Sequence, residues 1–237
     1  MGVPAGKVNA NAVKKYCGIP PGHKYRCFPP LAVVGGWLSG AIPVIMHRFT
    51  SSHFNYPGGG SVFMSLPIYL IGARGCGKTT IGHLLSQTLG YAFNDTDHHL
   101  QSSLQCTIAQ IVAEQGWESF RDKESASLIQ VTTASAVIAT GGGIILRPEN
   151  CQHMREHGRV FWLKAEPQEL AKRLTVDPEA GQRPTLTGRP ITEEMSDVLK
   201  IRSPLYSSTA HHIIDASRPP QEVVDNILQV LSQQRAG

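Results

Sequence analysis

The first 63 residues of this 237-residue chain contain no aspartate and no glutamate, although they hold six of its 22 lysines and arginines. The other residues therefore carry 16 basic and 18 acidic side chains, so the formal net charge of +4 comes from the N-terminal stretch. A globular region without an excess of basic residues lacks the electrostatic footprint that DNA- and RNA-binding proteins use. We expect no nucleic-acid partner.

The cysteines exclude a disulfide framework and a zinc finger. The chain has five, an odd number with no C-x-x-C pair, which favours a reduced, cytoplasmic compartment. Cys76 has no neighbouring general base, so we interpret it as a loop residue rather than a nucleophile. The adjacent pairs His98-His99 and His211-His212 do not have the spacing of ligands that converge on one metal ion.

A membrane-spanning segment is also missing from the sequence. The most apolar stretch, residues 31–46, is interrupted by three glycines and by Pro43. It is shorter than the roughly 20 residues that a spanning helix needs. We therefore expect no membrane partner.

Residues 1–63 are predicted to be a poorly ordered N-terminal extension. Pro20-Pro21, Pro29-Pro30 and Gly58-Gly59-Gly60 punctuate them, and no helical or strand period is sustained. A transit peptide is normally richer in arginine and serine. Met64 comes just before the first credible strand, so an overextended start codon or an appended sequence is the favoured interpretation. The functional domain is then residues 64–237.

From Pro67 onward, strand and helix patterns alternate, which is typical of an α/β fold with a parallel sheet covered by helices. Five strands are predicted, at residues 67–72, 91–95, 136–140, 160–163 and 213–215. Helices are predicted at residues 79–89, from Thr107 with a capping box to Gln110, from near Trp117, and at residues 220–233.

A phosphate-binding loop connects the first strand to the first helix. Residues 72–79, G-A-R-G-C-G-K-T, match G-x-x-x-x-G-K-[ST] in full. Backbone N–H groups of such a loop, here Gly75, Cys76 and Gly77, bind nucleotide phosphates at the helix N-terminus. Lys78 is expected to bridge the β- and γ-phosphates, Thr79 to ligate magnesium, and Thr80 to join the nucleotide site. A chance glycine turn is the alternative.

Two further segments follow predicted strands at their carboxyl ends, where α/β sheets place their sites. Strand three is followed by Thr140-Gly141-Gly142-Gly143, and three glycines permit close approach of a ligand to the backbone. Strand two is followed by Asp95-Thr96-Asp97, which either caps a helix or supplies Asp95 to magnesium and Asp97 to an acceptor hydroxyl. The chain has neither the N-K-x-D motif of guanine-nucleotide switches nor a strand ending in the Asp-Glu pair of mechanical ATPases.

Six motifs in this order resemble the shikimate kinase family, close to the enterobacterial type II enzymes: G-A-R-G-C-G-K-T-T, D-T-D, F-R-D-K-E, T-G-G-G-I-I-L, R-P-T-L-T-G-R-P and R-S-P-L-Y. The resemblance covers residues 64–237. It implies the three-layer P-loop fold of nucleoside monophosphate kinases, with a five-stranded parallel sheet and a mobile lid. It also implies a monomer that transfers the γ-phosphoryl group of ATP, with Mg²⁺, to the 3-hydroxyl of shikimate.

The resemblance further assigns roles to individual residues. Asp97 is expected to contact the ring hydroxyls of shikimate, and Arg121 and Arg202 to hold its carboxylate, with backbone from Gly142 and Gly143 closing the site. An arginine fork meets a carboxylate with two charge-assisted hydrogen bonds.

The lid and the adenine contact are also carried over from the family. Residues 175–189 match the lid, and Arg183 within it matches the residue that reaches the transferring phosphates. Lys78, Asp97 and Arg183 are thus the expected catalytic residues. Arg218 falls where the family contacts adenine. Two alternative functions are a gluconate kinase with the same fold and a nucleotide-dependent regulatory module that has no catalytic activity.

Overall fold

A computed structural model describes residues 65–176 and 191–233. The proposed N-terminal extension lies outside the described residues, and so does the proposed lid beyond Val176, including Arg183.

The centre of the domain is a five-stranded sheet in the order β2-β3-β1-β4-β5, in which every neighbouring pair is parallel. The strands are β1 (Ile68–Ile71), β2 (Ala92–Asp95), β3 (Ala136–Ala139), β4 (Arg159–Lys164) and β5 (His212–Asp215). This confirms the predicted five-stranded parallel sheet. Because all strands run the same way, their carboxyl ends share one edge, and the phosphate loop, the Asp95–Asp97 segment and the glycine loop all begin there.

Seven α-helices and one 3₁₀ helix are present among the described residues. The α-helices are α1 (Lys78–Leu89), α2 (Thr96–Leu104), α3 (Ile108–Val131), α4 (Pro148–His157), α5 (Pro167–Val176), α6 (Ile191–Thr209) and α7 (Pro220–Gln233), and the 3₁₀ helix is Ile144–Leu146.

The central strands of the sheet are buried on both faces by helices, which makes the domain three layers thick. Every residue of β1 is buried, and successive side chains point to opposite faces. Leu70 joins a cluster with residues of α1 and α7, whereas Tyr69 and Ile71 join a second cluster with residues of α3, α4 and α6. Burial on both faces explains why β1 and β3 are continuous apolar runs rather than alternating ones.

A third, smaller cluster joins α2 to α3. It consists of Leu100, Ile108, Ile111 and Phe120. The predicted capping box is present, because Thr107 and Gln110 bond reciprocally at the start of α3. Gly116 interrupts α3 with a φ of 79°, a conformation that glycine adopts without steric cost. The two helices predicted from near Thr107 and near Trp117 are therefore the two halves of a kinked α3.

The described helices include none with the length and apolarity needed to cross a membrane.

Candidate active site

The loop between β1 and α1 has the backbone conformation that a phosphate cradle requires. Gly75 and Gly77 have φ values of 79° and 92°, in the left-handed region that favours glycine. α1 then begins at Lys78, so the N–H groups of its first turn face the loop. Gly75, Cys76, Gly77, Lys78, Thr79 and Thr80 all line one cavity of about 1200 Å³.

The Lys78 ammonium lies inside the curve of this loop. Its Nζ donates to the carbonyl oxygens of Gly72 at 3.0 Å and Ala73 at 2.9 Å, and it is 3.6 Å from Cys76 Sγ. The cation is thus held over the loop by backbone acceptors, where its charge can meet nucleotide phosphates. Cys76 is fully buried, which agrees with its interpretation as a loop residue.

Asp95 serves two partners at the end of β2. Its Oδ1 accepts from the backbone N–H groups of Asp97 at 3.0 Å and His98 at 3.2 Å, which caps α2. Its Oδ2 accepts from the Thr79 hydroxyl at 3.0 Å. The two readings of D-T-D are therefore compatible, since one carboxylate oxygen caps a helix and the other faces the phosphate loop.

Asp97 follows in the first turn of α2 and lines the same cavity. Its carboxylate is stabilised there by the helix dipole. Asp97, Asp95 and Lys78 all line this one cavity, as their motifs predicted.

Arg121 is buried on α3 and paired with Glu124. The side chains are 8% and 1% exposed, and Nη1 of the arginine lies 2.5 Å from Oε2 of the glutamate. The guanidinium also stacks near Phe120 and Trp117, with its Cζ 5.0 Å and 5.5 Å from the two ring centroids. Arg121 Nε has no hydrogen-bond partner among the described residues. A buried donor of this kind is an available contact for an acidic ligand.

Gly143 lies against the same guanidinium. A Cβ atom built on Gly143 would overlap the Arg121 nitrogens and Cζ. Since the φ of Gly143 is −105°, the glycine is required for space rather than for backbone conformation. Gly143 and Arg121 are therefore one packed unit.

Arg202 approaches the glycine loop from α6. It is 7% exposed, and its Nη1 donates to the carbonyl oxygen of Gly142 at 3.2 Å. Tyr206, one turn further along α6, donates to the same oxygen at 2.6 Å. Burial raises the pKa of Tyr206 to about 12, so the phenol remains protonated and donates at physiological pH.

The predicted acceptor residues thus meet at residues 142–143 from two helices, although they are not all on the cavity wall. Gly142 and Asp97 line the large cavity. The Arg121 and Arg202 side chains are buried beside Gly143 and Gly142. Thr140 connects the start of this loop to β1, because its hydroxyl donates to the Leu70 carbonyl at 3.1 Å.

At the other end of the cavity, Arg218 lies near Pro219 and Pro220. Its side chain is 63% exposed and Nε is 3.7 Å from Asp215. Arg173 of α5 lines the cavity here too, and the sequence analysis did not identify it. Its ion pair with Glu169 at 2.8 Å has the helical i,i+4 spacing, so the sequence pattern indicates only an exposed helix surface.

The described residues contain no cluster of three or more His, Cys, Asp or Glu side chains that could hold a metal ion. The Thr79 hydroxyl and the Asp95 carboxylate are adjacent oxygen groups that line the same cavity as the phosphate loop. Two protein oxygens suit an ion that keeps waters and binds substrate phosphates as well.

Comparison with known proteins agrees with this geometry. The family model described as shikimate kinase matches residues 74–232. The chain is similar to shikimate kinase 2 of Erwinia tasmaniensis, with 60% identity over 173 residues that cover 73% of this chain and 99% of the relative. It is 52% identical to shikimate kinase 2 of Yersinia enterocolitica over 172 residues, covering 73% and 99%.

A solved structure shares both the fold and part of the sequence. The shikimate kinase from Acinetobacter baumannii in complex with shikimate has a TM-score of 0.69 and 31% identity, covering 73% of this chain and 96% of that one. Together with the phosphate loop and the paired arginines, these matches show that the chain belongs to the shikimate kinase family.

Proposed function

We propose that this chain transfers the γ-phosphoryl group of ATP to the 3-hydroxyl of shikimate, giving shikimate 3-phosphate and ADP for aromatic amino acid biosynthesis. ATP is the co-substrate of the family. The observation that carries the proposal is that a complete phosphate loop and two buried arginines meet at one glycine loop. An acidic acceptor bound by the arginines would lie beside the phosphoryl donor.

Arg121 and Arg202 are proposed to bind the carboxylate of shikimate. Both are at least nine-tenths buried, and a buried arginine fork binds a carboxylate through charge-assisted hydrogen bonds. Glu124 pairs with the Arg121 guanidinium and holds it in place. Gly142 and Gly143 are proposed to contribute backbone contacts.

Asp97 is proposed to position the acceptor hydroxyl for attack. Phosphoryl transfer usually passes through a loose transition state, so catalysis depends mainly on alignment and charge neutralisation. Asp97 is therefore expected to orient the hydroxyl and accept its proton late. Lys78 is proposed to stabilise negative charge on the transferring phosphate oxygens.

The residues present fit a magnesium ion. Thr79 and Asp95 supply a hydroxyl and a carboxylate, 3.0 Å apart, on the phosphate side of the cavity. When bound, the ion would neutralise phosphate charge. Thr79 and Asp95 would hold it, while Asp95 continues to cap α2.

Three further assignments are proposals from sequence. Arg183 in the lid, residues 175–189, is proposed to reach the transferring phosphates and to exclude water on closure. Arg218 is proposed to contact adenine, supported by its place on the cavity wall. We propose a cytoplasmic monomer, and the free thiols of Cys76, Cys106 and Cys151 suit a reduced compartment.

The experiment is a coupled ADP-release assay on the full chain with Mg-ATP and shikimate, gluconate or no acceptor. Shikimate-dependent release would support the proposal. Release with gluconate, or without any acceptor, would be consistent with nucleotide binding at the phosphate loop but would contradict shikimate as the acceptor. Nucleotide binding without turnover would indicate a regulatory module. The same assay on residues 64–237 tests whether the N-terminal stretch is needed.

A further inference from the structure

We propose that Thr96 and Tyr206 are positioning residues that hold the glycine loop, residues 141–143, in the geometry needed to bind the acceptor. The inference rests on the proposed function of this site. Neither residue is expected to touch substrate.

Thr96 holds the loop from the side of β2 and α2. It is 1% exposed, and its Oγ1 accepts a hydrogen bond from the Gly141 N–H at 3.0 Å. Its carbonyl accepts from the Ser127 hydroxyl of α3 at 2.9 Å. Thr96 stands between Asp95 and Asp97, so one residue links the aspartate segment, the glycine loop and α3.

Tyr206 holds the loop from the opposite side. It is fully buried, and its ring stacks on Trp162 with centroids 5.6 Å apart. Its hydroxyl donates to the Gly142 carbonyl, which also accepts from Arg202. A carbonyl oxygen has two lone pairs, and these two donors occupy both.

This arrangement couples Tyr206 to acceptor binding. Without the phenol hydroxyl, the buried Gly142 oxygen would have Arg202 as its donor, so the loop and the Arg202 guanidinium would be drawn together. Arg202 would then present its fork to a carboxylate from an altered position. The Gly143 backbone, packed on Arg121, would move with the loop. Thr96 opposes such a shift by fixing the neighbouring Gly141.

The test compares Tyr206→Phe and Thr96→Val with wild type in the ADP-release assay, varying shikimate and ATP separately. Removing one buried hydrogen bond to the glycine loop is expected to raise the shikimate KM about five- to thirtyfold. The ATP KM should stay within about twofold, because the side-chain hydrogen bonds of Lys78 and Thr79 go to other residues. Thr96→Ser keeps the hydroxyl and should restore most of the shikimate affinity.

The chain offers matched controls for both changes. Tyr69 is also fully buried and its hydroxyl bonds Thr132 at 3.0 Å, away from the glycine loop. Thr209 is 2% exposed and its hydroxyl donates to the Leu205 carbonyl. Tyr69→Phe and Thr209→Val remove the same atoms from equally buried sites. They should lower the melting temperature similarly and leave the shikimate KM unchanged.

A selective rise of the shikimate KM in Tyr206→Phe and Thr96→Val, with rescue by Thr96→Ser, supports the inference. Kinetics indistinguishable from the two controls would overturn it, as would an equal rise in both KM values. If Thr96→Val does not fold, the shikimate and ATP KM values of Tyr206→Phe alone decide between these outcomes. A wild-type enzyme that ignores shikimate would overturn the proposed function and this inference with it, whereas a shikimate-dependent wild type with unaffected variants overturns the inference alone.

Discussion

Replacing Gly143 by alanine should weaken acceptor binding through the Arg121 side chain, with a stability cost of similar size. The new Cβ would overlap the Arg121 guanidinium, and the backbone conformation of Gly143 is open to other residues. The alanine therefore introduces no backbone strain. Its effect is to displace the end of one long side chain.

The size of the effect follows from the contacts of that side chain. The displaced guanidinium moves relative to Glu124 and to the position of a bound carboxylate. Loss of one charge-assisted hydrogen bond to the substrate costs about 1.5–3 kcal/mol. The shikimate KM should therefore rise about tenfold to about a hundredfold. The free energy of unfolding should fall by about 1–3 kcal/mol, as for a moderately overpacked core.

The assay is ADP release at varied shikimate, with ATP saturating, and thermal melting in parallel. The internal control is the ATP KM at saturating shikimate, because the displaced Arg121 guanidinium lies against Gly143 and Glu124 rather than the phosphate loop. An unchanged shikimate KM in Gly143→Ala would refute the reasoning. So would an equal rise of the ATP KM, since it would indicate a general disturbance of the site.

Three other predictions concern the phosphoryl-transfer groups and pH. Asp97→Asn should lower kcat by at least about a hundredfold while nucleotide binding, measured by calorimetry, persists; near-normal turnover would contradict its role. Lys78→Ala should raise the ATP KM and lower kcat together, because its charge meets both the nucleotide and the transition state; unchanged nucleotide kinetics would count against it. Burial, and then the neighbouring His157, lowers the pKa of His153 from 6.5. Just below pH 6.5 the unfolded chain therefore binds more protons at His153 than the folded chain does. The stability that comes from the neutral imidazole is present above about pH 6.5 and is lost as the pH falls towards the folded pKa. The melting temperature should fall between about pH 7.5 and about pH 5.5, and His153→Gln should reduce that slope.

The centre of the sheet could be predicted from the sequence because strands β1 and β3 are buried on both faces. β1 and β3 are short apolar runs next to glycine-rich loops, a pattern that few other structures produce. The predicted bounds differ from the observed ones by one residue at each end of β1 and by one residue at the carboxyl end of β3.

Several helices were harder to predict. α6 contains Pro204, which normally ends or kinks a helix, so the R-S-P-L-Y motif indicated no helix. α2 is only nine residues long, and its start was interpretable as a cap or as a ligand pair. The tertiary packing of these segments decides their structure, and a local pattern does not contain that information.

Some residues of the candidate site could be predicted from the sequence and others could not. The phosphate loop, Asp97 and the two arginines could be predicted because each belongs to a motif. Thr96 and Tyr206 were not predicted, since they act on backbone groups of a distant loop. Tyr206 does follow Arg202 at i,i+4 spacing, which places both on one helix face once α6 is known.

The small cluster between α2 and α3 has a consequence for how the domain opens. Leu100 of α2 packs with Ile108 and Ile111 of the first half of α3, and Phe120, beyond Gly116, joins this small unit to the half of α3 that packs on the sheet. A unit with so small a core opens locally at a lower free energy than the whole domain. Asp97 lies in the first turn of α2 and therefore in this unit. On its proposed role, acceptor affinity would include the free energy of keeping the unit closed, and hydrogen exchange of α2 should slow when the acceptor binds.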